Sequence, residues 1–485
     1  MAERALPALL QPGAPAGALR GDVLRGTGGV QAPATPAGTR RTAPTQRTAR
    51  GIRTGGAVGS TSRTCRVGVR TRPARLRPNR RCLMKTLCYT LTLEVLTPVH
   101  VGSGETVYAL EYLRDGNTLH VVHPDRWTNW LEQQPERAQR YIDWVEATLQ
   151  ADPKKLALTG FVRNRLKIAD PGAVAKQVRR YAVQMEGCYE PPAERGFRAH
   201  LRDGQNRAYL PGSSLKGAIR TALLEDILLD EHNLNRLLIQ PLQQVQAVSN
   251  PNERREVNKL RQALRGVWQR MEQEALRGGK QKANYDLLRF VLVSDSEPFA
   301  PDMVSLRLVR SEGTNRNTDT WIEAIRPGAC TRFTLCFQPD APLAQLGLAE
   351  ELDAYLQCET LLEVLAERAE RRLQPEQAYP YPPAVQKVLE DLLERNRPDA
   401  PLLCVGWGQG YLGTTVMGLV QDEQPKEYQR QIEKMKPALP RLGQGVQPSR
   451  FPKTRRAVRD GQGSALFPLG WVQLRVEEAP ESASD

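Results

Sequence analysis

Residues 86–104, with the sequence TLCYTLTLEVLTPVHVGSG, carry the strongest indication of fold in this chain. Apolar and polar side chains alternate over 86–96, which is the period of a half-buried β-strand. The stretch 97–105 then interrupts the alternation with one proline and two glycines. The sequence therefore predicts a strand that opens the folded body and leads into a turn-rich loop.

Further strand patterns follow along the chain, at 107–113, 118–123, 287–293, 304–309, 321–326, 330–337 and 471–476. Asp115-Gly116-Asn117 predicts a hairpin between the first two of these segments, and Pro327-Gly328 predicts a hairpin between 321–326 and 330–337. Helical patterns fill 125–190, 211–227, 231–285 and 343–397. Because hairpins alternate with helices and no βαβ glycine fingerprint occurs, we expect an α+β fold with an antiparallel sheet.

The positive charge of the chain is concentrated at its N-terminal end. The 485 residues hold 68 Lys and Arg against 54 Asp and Glu, a formal net charge of +14. Residues 1–83 account for all of it, with 16 Arg, two acids and no aromatic side chain. Such a segment buries too little apolar surface to offset its ordering entropy, so we expect it to be disordered. A basic arm, a targeting sequence and an extension upstream of a start at Met84 all fit, and we favour the extension. Since 84–485 is formally neutral, a nucleic-acid site there has to be a local patch.

Several protein classes are excluded by what the sequence lacks. The sequence contains no run of about 18 apolar residues, so it predicts no membrane span. The eight cysteines form no CxxC pair, which argues against a zinc ribbon and a disulfide framework and favours reduced thiols in the cytoplasm. His120 and His123 have no third ligand nearby, so we expect no metal and no other cofactor.

The segment PGSSLKGAIR at 211–220 predicts the clearest helix start in the chain, with Ser213 or Ser214 as its N-cap. Free backbone N–H groups at a helix start, together with two cations four residues apart, suit a phosphate. An ordinary capped helix with solvated cations fits the same pattern. The candidate residues are Gly212, Ser213, Ser214, Lys216 and Arg220.

A glycine-rich stretch, CVGWGQGYLGTT at 404–415, is the second candidate. Its glycines allow backbone amides to line a concave surface, and its aromatic rings offer faces on which bases can stack. Tight packing would produce the same composition. The candidate residues are Gly406, Trp407, Gly408, Gly410, Tyr411 and Gly413.

Two smaller candidates remain. The run PKTRR at 452–456 is the one dense basic stretch of the body, and its alternatives are RNA contact through Lys453, Arg455 and Arg456 or a solvated face. His100, with Gly102 and Ser103 after it, could act as a general acid or base on a ribose hydroxyl. We favour a structural or RNA-packing role for His100.

These motifs, in this order, resemble the RAMP superfamily of CRISPR-associated proteins. LTPVHVGSG (96–104) resembles the first strand and loop of the superfamily, and GSSLKGAIR (212–220) resembles its phosphate-contacting helix start. The glycine stretch, followed by PKTRR and by PLGWV (468–472), is most similar to the fifth subunit of type III-A Csm effector complexes. The resemblance covers about 86–476.

The resemblance implies an RRM-like, ferredoxin-type core with helical insertions. On this basis the chain divides into a first part of the core at 84–230, an insertion at 231–285, strands that complete the core at 286–342, a helical region at 343–400 and an RNA-binding glycine loop with the last strand at 401–485.

The resemblance also implies a non-enzymatic subunit that caps the effector filament at the crRNA 3′ end and serves crRNA maturation in antiviral defence. The implied partners are crRNA, the backbone RAMP subunits, target RNA and trimming nucleases. In filament relatives an Asp in the loop after the first strand cuts target RNA, whereas 102–106 reads GSGET. Two alternatives stay open: a metal-independent endoribonuclease that uses His100 on precursor crRNA, and an assembly protein without RNA contact.

Overall fold

The computed structural model describes residues 85–313, 319–438 and 446–477. The expectations for 1–83 and for a start at Met84 therefore lie outside the described residues. Within them, no helix combines the length and the hydrophobicity that crossing a membrane requires.

Fourteen strands in the described residues build two sheets. They are β1 Leu87–Val95, β2 Gly102–Val107, β3 Tyr112–Asp115, β4 Thr118–Val122, β5 Arg179–Met185, β6 Phe197–His200, β7 Val291–Val293, β8 Val304–Glu312, β9 Thr320–Ile325, β10 Cys330–Phe337, β11 Leu402–Cys404, β12 Arg455–Arg459, β13 Ala465–Phe467 and β14 Trp471–Val476. The first sheet has the order β11-β14-β1-β10-β7 and is antiparallel throughout. The second has the order β2-β6-β9-β8-β5-β4-β3, and β12 joins β8 and pairs with β13.

Helices fill the connections between these strands. The α-helices are Pro124–Glu132, Pro135–Ala151, Leu158–Gly160, Pro171–Val178, Gly212–Ile227, Glu231–Asn233, Gln240–Gln244, Arg254–Arg277, Leu343–Leu346, Cys358–Gln377, Pro383–Arg395, Gly410–Gly413, Met417–Glu423 and Pro425–Met435. Shorter 3-10 and π turns lie at Pro153–Lys155, Phe161–Arg165, Leu234–Ile239, Ala283–Tyr285, Leu287–Phe290, Pro301–Met303, Glu350–Leu356, Lys436–Ala438 and Pro448–Arg450. The predicted α+β class is confirmed. The second sheet, however, is mixed, because β5 pairs with β8 and β6 with β9 in parallel.

The opening strand forms as its alternation predicts and lies at the centre of the first sheet. Its inward side chains and those of the helix Gly212–Ile227 belong to one hydrophobic core, which includes Leu91, Leu93, Leu215, Ile219 and Leu223. Full burial of each leucine stabilises the fold by about 2 kcal/mol. This core therefore holds in place the two segments that carry site candidates next to it, the loop after β1 and the start of the helix.

Four predictions of local structure need correction. The segment 287–293 is a strand only at β7, after the 3-10 turn Leu287–Phe290, and the stretch predicted as mostly helical, 125–190, contains β5. The segment 107–113 is not one strand, because β2 ends at Val107 and β3 begins at Tyr112, although β3 and β4 do form the hairpin predicted at Gly116-Asn117. The hairpin predicted at Pro327-Gly328 is wrong, since β9 pairs with β6 and β8 while β10 pairs with β1 and β7. A turn sequence determines where the chain reverses, but the strand it then pairs with depends on packing elsewhere.

The cysteines also differ from expectation at one place. Cys88 on β1 and Cys336 on β10 stand directly opposite in register and form a disulfide. Their sequence separation of 248 residues hides this proximity in the sequence. The expectation of reduced thiols is therefore wrong for this pair.

Candidate nucleic-acid interface

Trp407 lies at the centre of a small cationic surface. The guanidinium carbon of Arg456 on β12 is 4.2 Å from the centroid of the Trp407 ring, and that of Arg198 on β6 is 4.9 Å away. A guanidinium group over an indole is attracted by the negative face of the ring. Arg198, Trp407 and Arg456, which we call the Arg–Trp surface, come from three distant parts of the sequence.

The two arginines of the Arg–Trp surface are exposed, and across the described ranges neither forms an ion pair with a carboxylate. Crowding by neighbouring atoms lowers the pKa of both guanidinium groups, and the positive charge of Arg198 lowers the pKa of Arg456 further. Two cations that repel each other, and that no carboxylate of the described residues pairs with, favour the binding of an anion.

The loop after β1 positions Trp407. The Trp407 backbone N–H donates a 2.7 Å hydrogen bond to the carbonyl oxygen of His100, and the two rings meet edge to face at 6.0 Å. Gly406 has a φ of +79°, and a Cβ there would lie 2.4 Å from the His100 carbonyl oxygen. Only glycine permits this approach, so the glycine stretch and the His100 loop form one unit.

A buried polar network lies below this unit. The His100 ring nitrogen Nδ1 is 2.6 Å from the carbonyl oxygen of Glu323 on β9. The Glu323 carboxylate is fully buried, and its Oε2 accepts hydrogen bonds from the His200 backbone N–H at 2.9 Å and from Arg202 at 3.3 Å. Burial raises the pKa of Glu323. Strands β6 and β9 are thereby tied to the loop that carries His100.

His100 and His200 are neutral at pH 7. Burial lowers the pKa of His100 to about 4 and that of His200 to about 3. The Glu323 carbonyl can only accept a hydrogen bond, so Nδ1 of His100 carries the proton. A pKa of about 4 makes the ring a weak base at pH 7, and the neutral ring has no free proton to donate, which argues against the general acid or base alternative.

Gly102 and Ser103 lie between the His100 loop and β6. They lie on β2, where the register shifts between Gly102 and Thr106, and Thr106 pairs with Arg198. The Ser103 hydroxyl is 3.4 Å from the Ala199 carbonyl oxygen. The structure thus places His100 beside Trp407 and Gly102 beside the His100 ring, while Ser103 contacts Ala199 of β6.

The N-terminus of the helix Gly212–Ile227 already binds a carboxylate of this chain. The Gly212 N–H donates a 2.7 Å hydrogen bond to the carboxylate of Asp295. A Cβ on Gly212 would lie 2.4 Å from the Val293 carbonyl oxygen, so this glycine serves a close backbone approach. The N-cap is Pro211 without a side-chain cap, which makes the prediction of a Ser213 or Ser214 N-cap wrong.

The two cations of this helix are likewise engaged within the chain. Lys216 donates a 2.8 Å hydrogen bond to the Val291 carbonyl oxygen. Arg220 forms ion pairs with Glu272 at 2.6 Å and with Asp286 at 2.8 Å. Lys216 and Arg220 therefore fix the helix to other segments of the chain. Neither side chain contributes to the Arg–Trp surface.

The remainder of the glycine stretch packs inward. The Tyr411 ring lies 5.1 Å from the Phe451 ring, and its hydroxyl is buried without a hydrogen-bond partner in the described residues. A Cβ on Gly408 would collide with Leu469, whereas one on Gly410 would meet open space. Gly413 packs against Arg372. Tyr411 is consequently half-buried and packs against the hydrophobic core.

The three basic residues of the run 452–456 have different surroundings. Arg455 pairs with Glu376 at 2.6 Å and lies over the Tyr379 ring, so its charge is compensated. Lys453 is exposed and, within the described residues, has no ion-pair partner. Arg456 alone contributes to the Arg–Trp surface.

Sequence reasoning missed Arg198, His200 and Glu323. The stretch 195–209 is recognisably basic and extended, which is the signal that could have pointed to Arg198. Nothing in the sequence marks Glu323, because its role depends on three segments that meet below the surface. Among the described residues, no group of three His, Cys, Asp or Glu side chains is placed to hold a metal ion.

The RAMP superfamily pattern matches residues 92–365, more than half of the chain, and the chain belongs to this superfamily. The "CRISPR system Cms protein Csm5" of Methanocaldococcus jannaschii is 21% identical over 416 residues, which cover 79% of this chain and 88% of that protein. The Csm5 protein of Enterococcus italicus is 27% identical over 153 residues, 28% of this chain and 42% of that protein.

Solved structures show the same fold. A chain of a cryo-EM structure of a Csm-crRNA-target RNA ternary complex in a type III-A CRISPR-Cas system matches with a TM-score of 0.59 and 21% identity, covering 81% of this chain and 100% of that chain. The crystal structure of T. onnurineus Csm5 matches with a TM-score of 0.55 and 20% identity, covering 79% of this chain and 99% of that chain. The chain is therefore similar to Csm5 proteins in sequence, and it shares the fold of these structures.

Proposed function

We propose that this chain is the Csm5-type subunit of a type III-A Csm effector complex and binds crRNA at the Arg–Trp surface. One observation carries the proposal: Arg198 and Arg456 lie over the Trp407 ring, exposed and, in the described residues, without carboxylate partners. A backbone phosphate would compensate both charges through charge-assisted hydrogen bonds. The likeness to a chain from a Csm-crRNA-target RNA complex supports membership of such an assembly.

In this role the subunit caps the filament of backbone RAMP subunits and holds the 3′ end of crRNA. It contributes to crRNA maturation and antiviral defence in the cytoplasm without cutting RNA itself, and separate nucleases trim the guide. Target RNA then pairs with the guide along the filament. The absence of an Asp from 102–106 and the buried, neutral ring of His100 support a binding role.

Binding of single-stranded RNA at several salt concentrations tests the Arg–Trp surface directly. Arg198→Ala with Arg456→Ala should weaken affinity roughly 100-fold, at about 1.5 kcal/mol for each charged contact. The salt dependence should fall by about 1.4 in log–log slope, since each phosphate contact on a single strand contributes about 0.7.

The matched control removes two arginines that already have acidic partners. Arg332 pairs with Glu477 and Arg397 with Asp399, and all four side chains are substantially exposed to solvent. Arg332→Ala with Arg397→Ala changes the net charge equally and should leave both affinity and slope close to wild type. Equal losses in the two double variants would mean that the Arg–Trp surface is not the binding site.

The capping role needs a separate experiment in the host. The tagged chain is purified with its partners, its RNA is sequenced, and a 4-thiouridine at either end of the bound RNA is photo-crosslinked to protein. We expect repeat-derived RNAs of discrete lengths and crosslinks from the 3′ label to peptides near Trp407. Random RNA, or a complex that keeps all its subunits without RNA, would favour the assembly-protein alternative.

A further inference from the structure

The His100 ring has one nitrogen that the fold leaves unused. Its Nδ1–H is committed to the Glu323 carbonyl oxygen at 2.6 Å, which places the proton on that nitrogen. Nε2 of the neutral ring is therefore a hydrogen-bond acceptor. Across the residues that the structure describes, Nε2 has no hydrogen-bond partner, although the His100 side chain as a whole is buried.

Glycine at position 102 leaves this nitrogen uncovered. A Cβ on Gly102 would lie 3.1 Å from Nε2, so any larger side chain would cover it. Gly102 itself is exposed on β2, which makes this edge of the His100 ring the part nearest to solvent. The same ring lies 6.0 Å from Trp407, and the charge of Arg198 is close enough to lower the pKa of His100.

We infer that Nε2 of His100 accepts a hydrogen bond from a ribose 2′-hydroxyl of the strand bound at the Arg–Trp surface, and thereby makes the site prefer RNA over DNA. The inference rests on the proposed function, which supplies the bound strand. His100 acts here as a specificity-determining residue rather than as a nuclease residue.

The chemistry of the acceptor selects the hydroxyl. Phosphate oxygens are acceptors and cannot donate to Nε2, so they would pair with Arg198 and Arg456 instead. Donors on base edges change with the sequence, whereas the 2′-hydroxyl is a donor present in every ribonucleotide and missing from DNA. A donor from the ligand would also pair an acceptor that has no hydrogen-bond partner in the described residues.

Affinities of one RNA and of the DNA of the same sequence, measured on the full chain, test the inference. The wild-type protein should bind RNA about 3- to 10-fold more tightly than DNA, the value of one neutral hydrogen bond. His100→Phe removes the acceptor and keeps a planar ring, and it should reduce the ratio to about 1 by weakening RNA and not DNA. A scan of single 2′-deoxy substitutions along the RNA should reproduce the loss at one nucleotide.

Gly102→Ala is the second variant, because His100→Phe also removes the bond to Glu323. It places a methyl group against Nε2 and retains the His100 side chain, and it should abolish the preference in the same way. The matched control is Gly266→Ala in the helix Arg254–Arg277, where a Cβ meets open space. That variant should keep the wild-type ratio.

The outcomes separate the inference from the proposed function. Equal binding of RNA and DNA by the wild-type protein, or a preference that persists in both Gly102→Ala and His100→Phe, would overturn the role of His100 and leave RNA binding intact. If neither strand binds the wild-type protein, the proposed function itself fails.

Discussion

Mild acid is expected to weaken the fold at the buried pair His100 and His200. Their ring centroids are 6.0 Å apart, and burial lowers their pKa values to about 4 and about 3. In an unfolded chain both would titrate near 6.5. Between pH 6.5 and pH 3 the unfolded chain therefore takes up protons that the folded chain rejects. Stability is fully present above pH 6.5 and falls as the pH drops through this window.

The size of the effect follows from the two pKa shifts. At pH 5 each histidine is mostly protonated in the unfolded chain and mostly neutral in the folded chain. The free energy of unfolding is therefore lower than at pH 7.5 by about 2 kcal/mol for each histidine. The pair together costs about 4 kcal/mol, a large part of the 5–15 kcal/mol by which domains are typically stable. Asp422 opposes part of this loss, because burial raises its pKa to about 6 and its protonation in the fold gains stability as pH falls.

Urea unfolding at pH 7.5, 6.5, 5.5 and 5.0, at constant ionic strength, measures the loss. Since Asp422 contributes equally to both proteins, the comparison of wild type with His200→Leu carries the test: the variant should lose about 2 kcal/mol less over the range. The exposed His232 provides the control, and His232→Gln should follow wild type. The reasoning is refuted if His200→Leu and wild type lose the same free energy of unfolding between pH 7.5 and pH 5.

Two further predictions concern the support of the glycine stretch. Arg368 pairs with Glu225 at 3.0 Å, donates a hydrogen bond to the Gly413 carbonyl oxygen at 3.1 Å, and is almost fully buried with its partner. Arg368→Ala should lower the free energy of unfolding by about 1.5–3 kcal/mol, because it removes buried charge-assisted hydrogen bonds while Arg371, at 3.4 Å, still pairs with Glu225; a loss below 0.5 kcal/mol in urea unfolding, roughly the lower limit for a single neutral hydrogen bond, would contradict this. Tyr411→Phe should raise stability by about 1 kcal/mol, since it removes a buried hydroxyl that lacks a partner. It should not change RNA affinity, and weaker RNA binding by this variant would show that the hydroxyl contacts the strand.

Local patterns determined a large part of the fold. The alternation over 86–96 places β1, helical spacing after Pro211 places the helix Gly212–Ile227, and the turn at Gly116-Asn117 joins β3 to β4. Each of these features depends on residues that are neighbours in sequence. Backbone geometry repeats every two or every 3.6 residues, so the sequence records it directly.

The candidate site depended on charges whose partners are far away in the chain. Lys216, Arg220 and Arg456 look alike in sequence, and in the structure Lys216 and Arg220 are held by internal acceptors while Arg456 has none among the described residues. Arg198, a residue of ordinary sequence context, meets Arg456 at Trp407. Whether a cation is neutralised or left to bind a ligand is decided by long-range packing, and hydrophobic periodicity contains no information about it. The sequence therefore determined the elements and the family resemblance, and the tertiary structure decided which of its basic residues remain free for an anion.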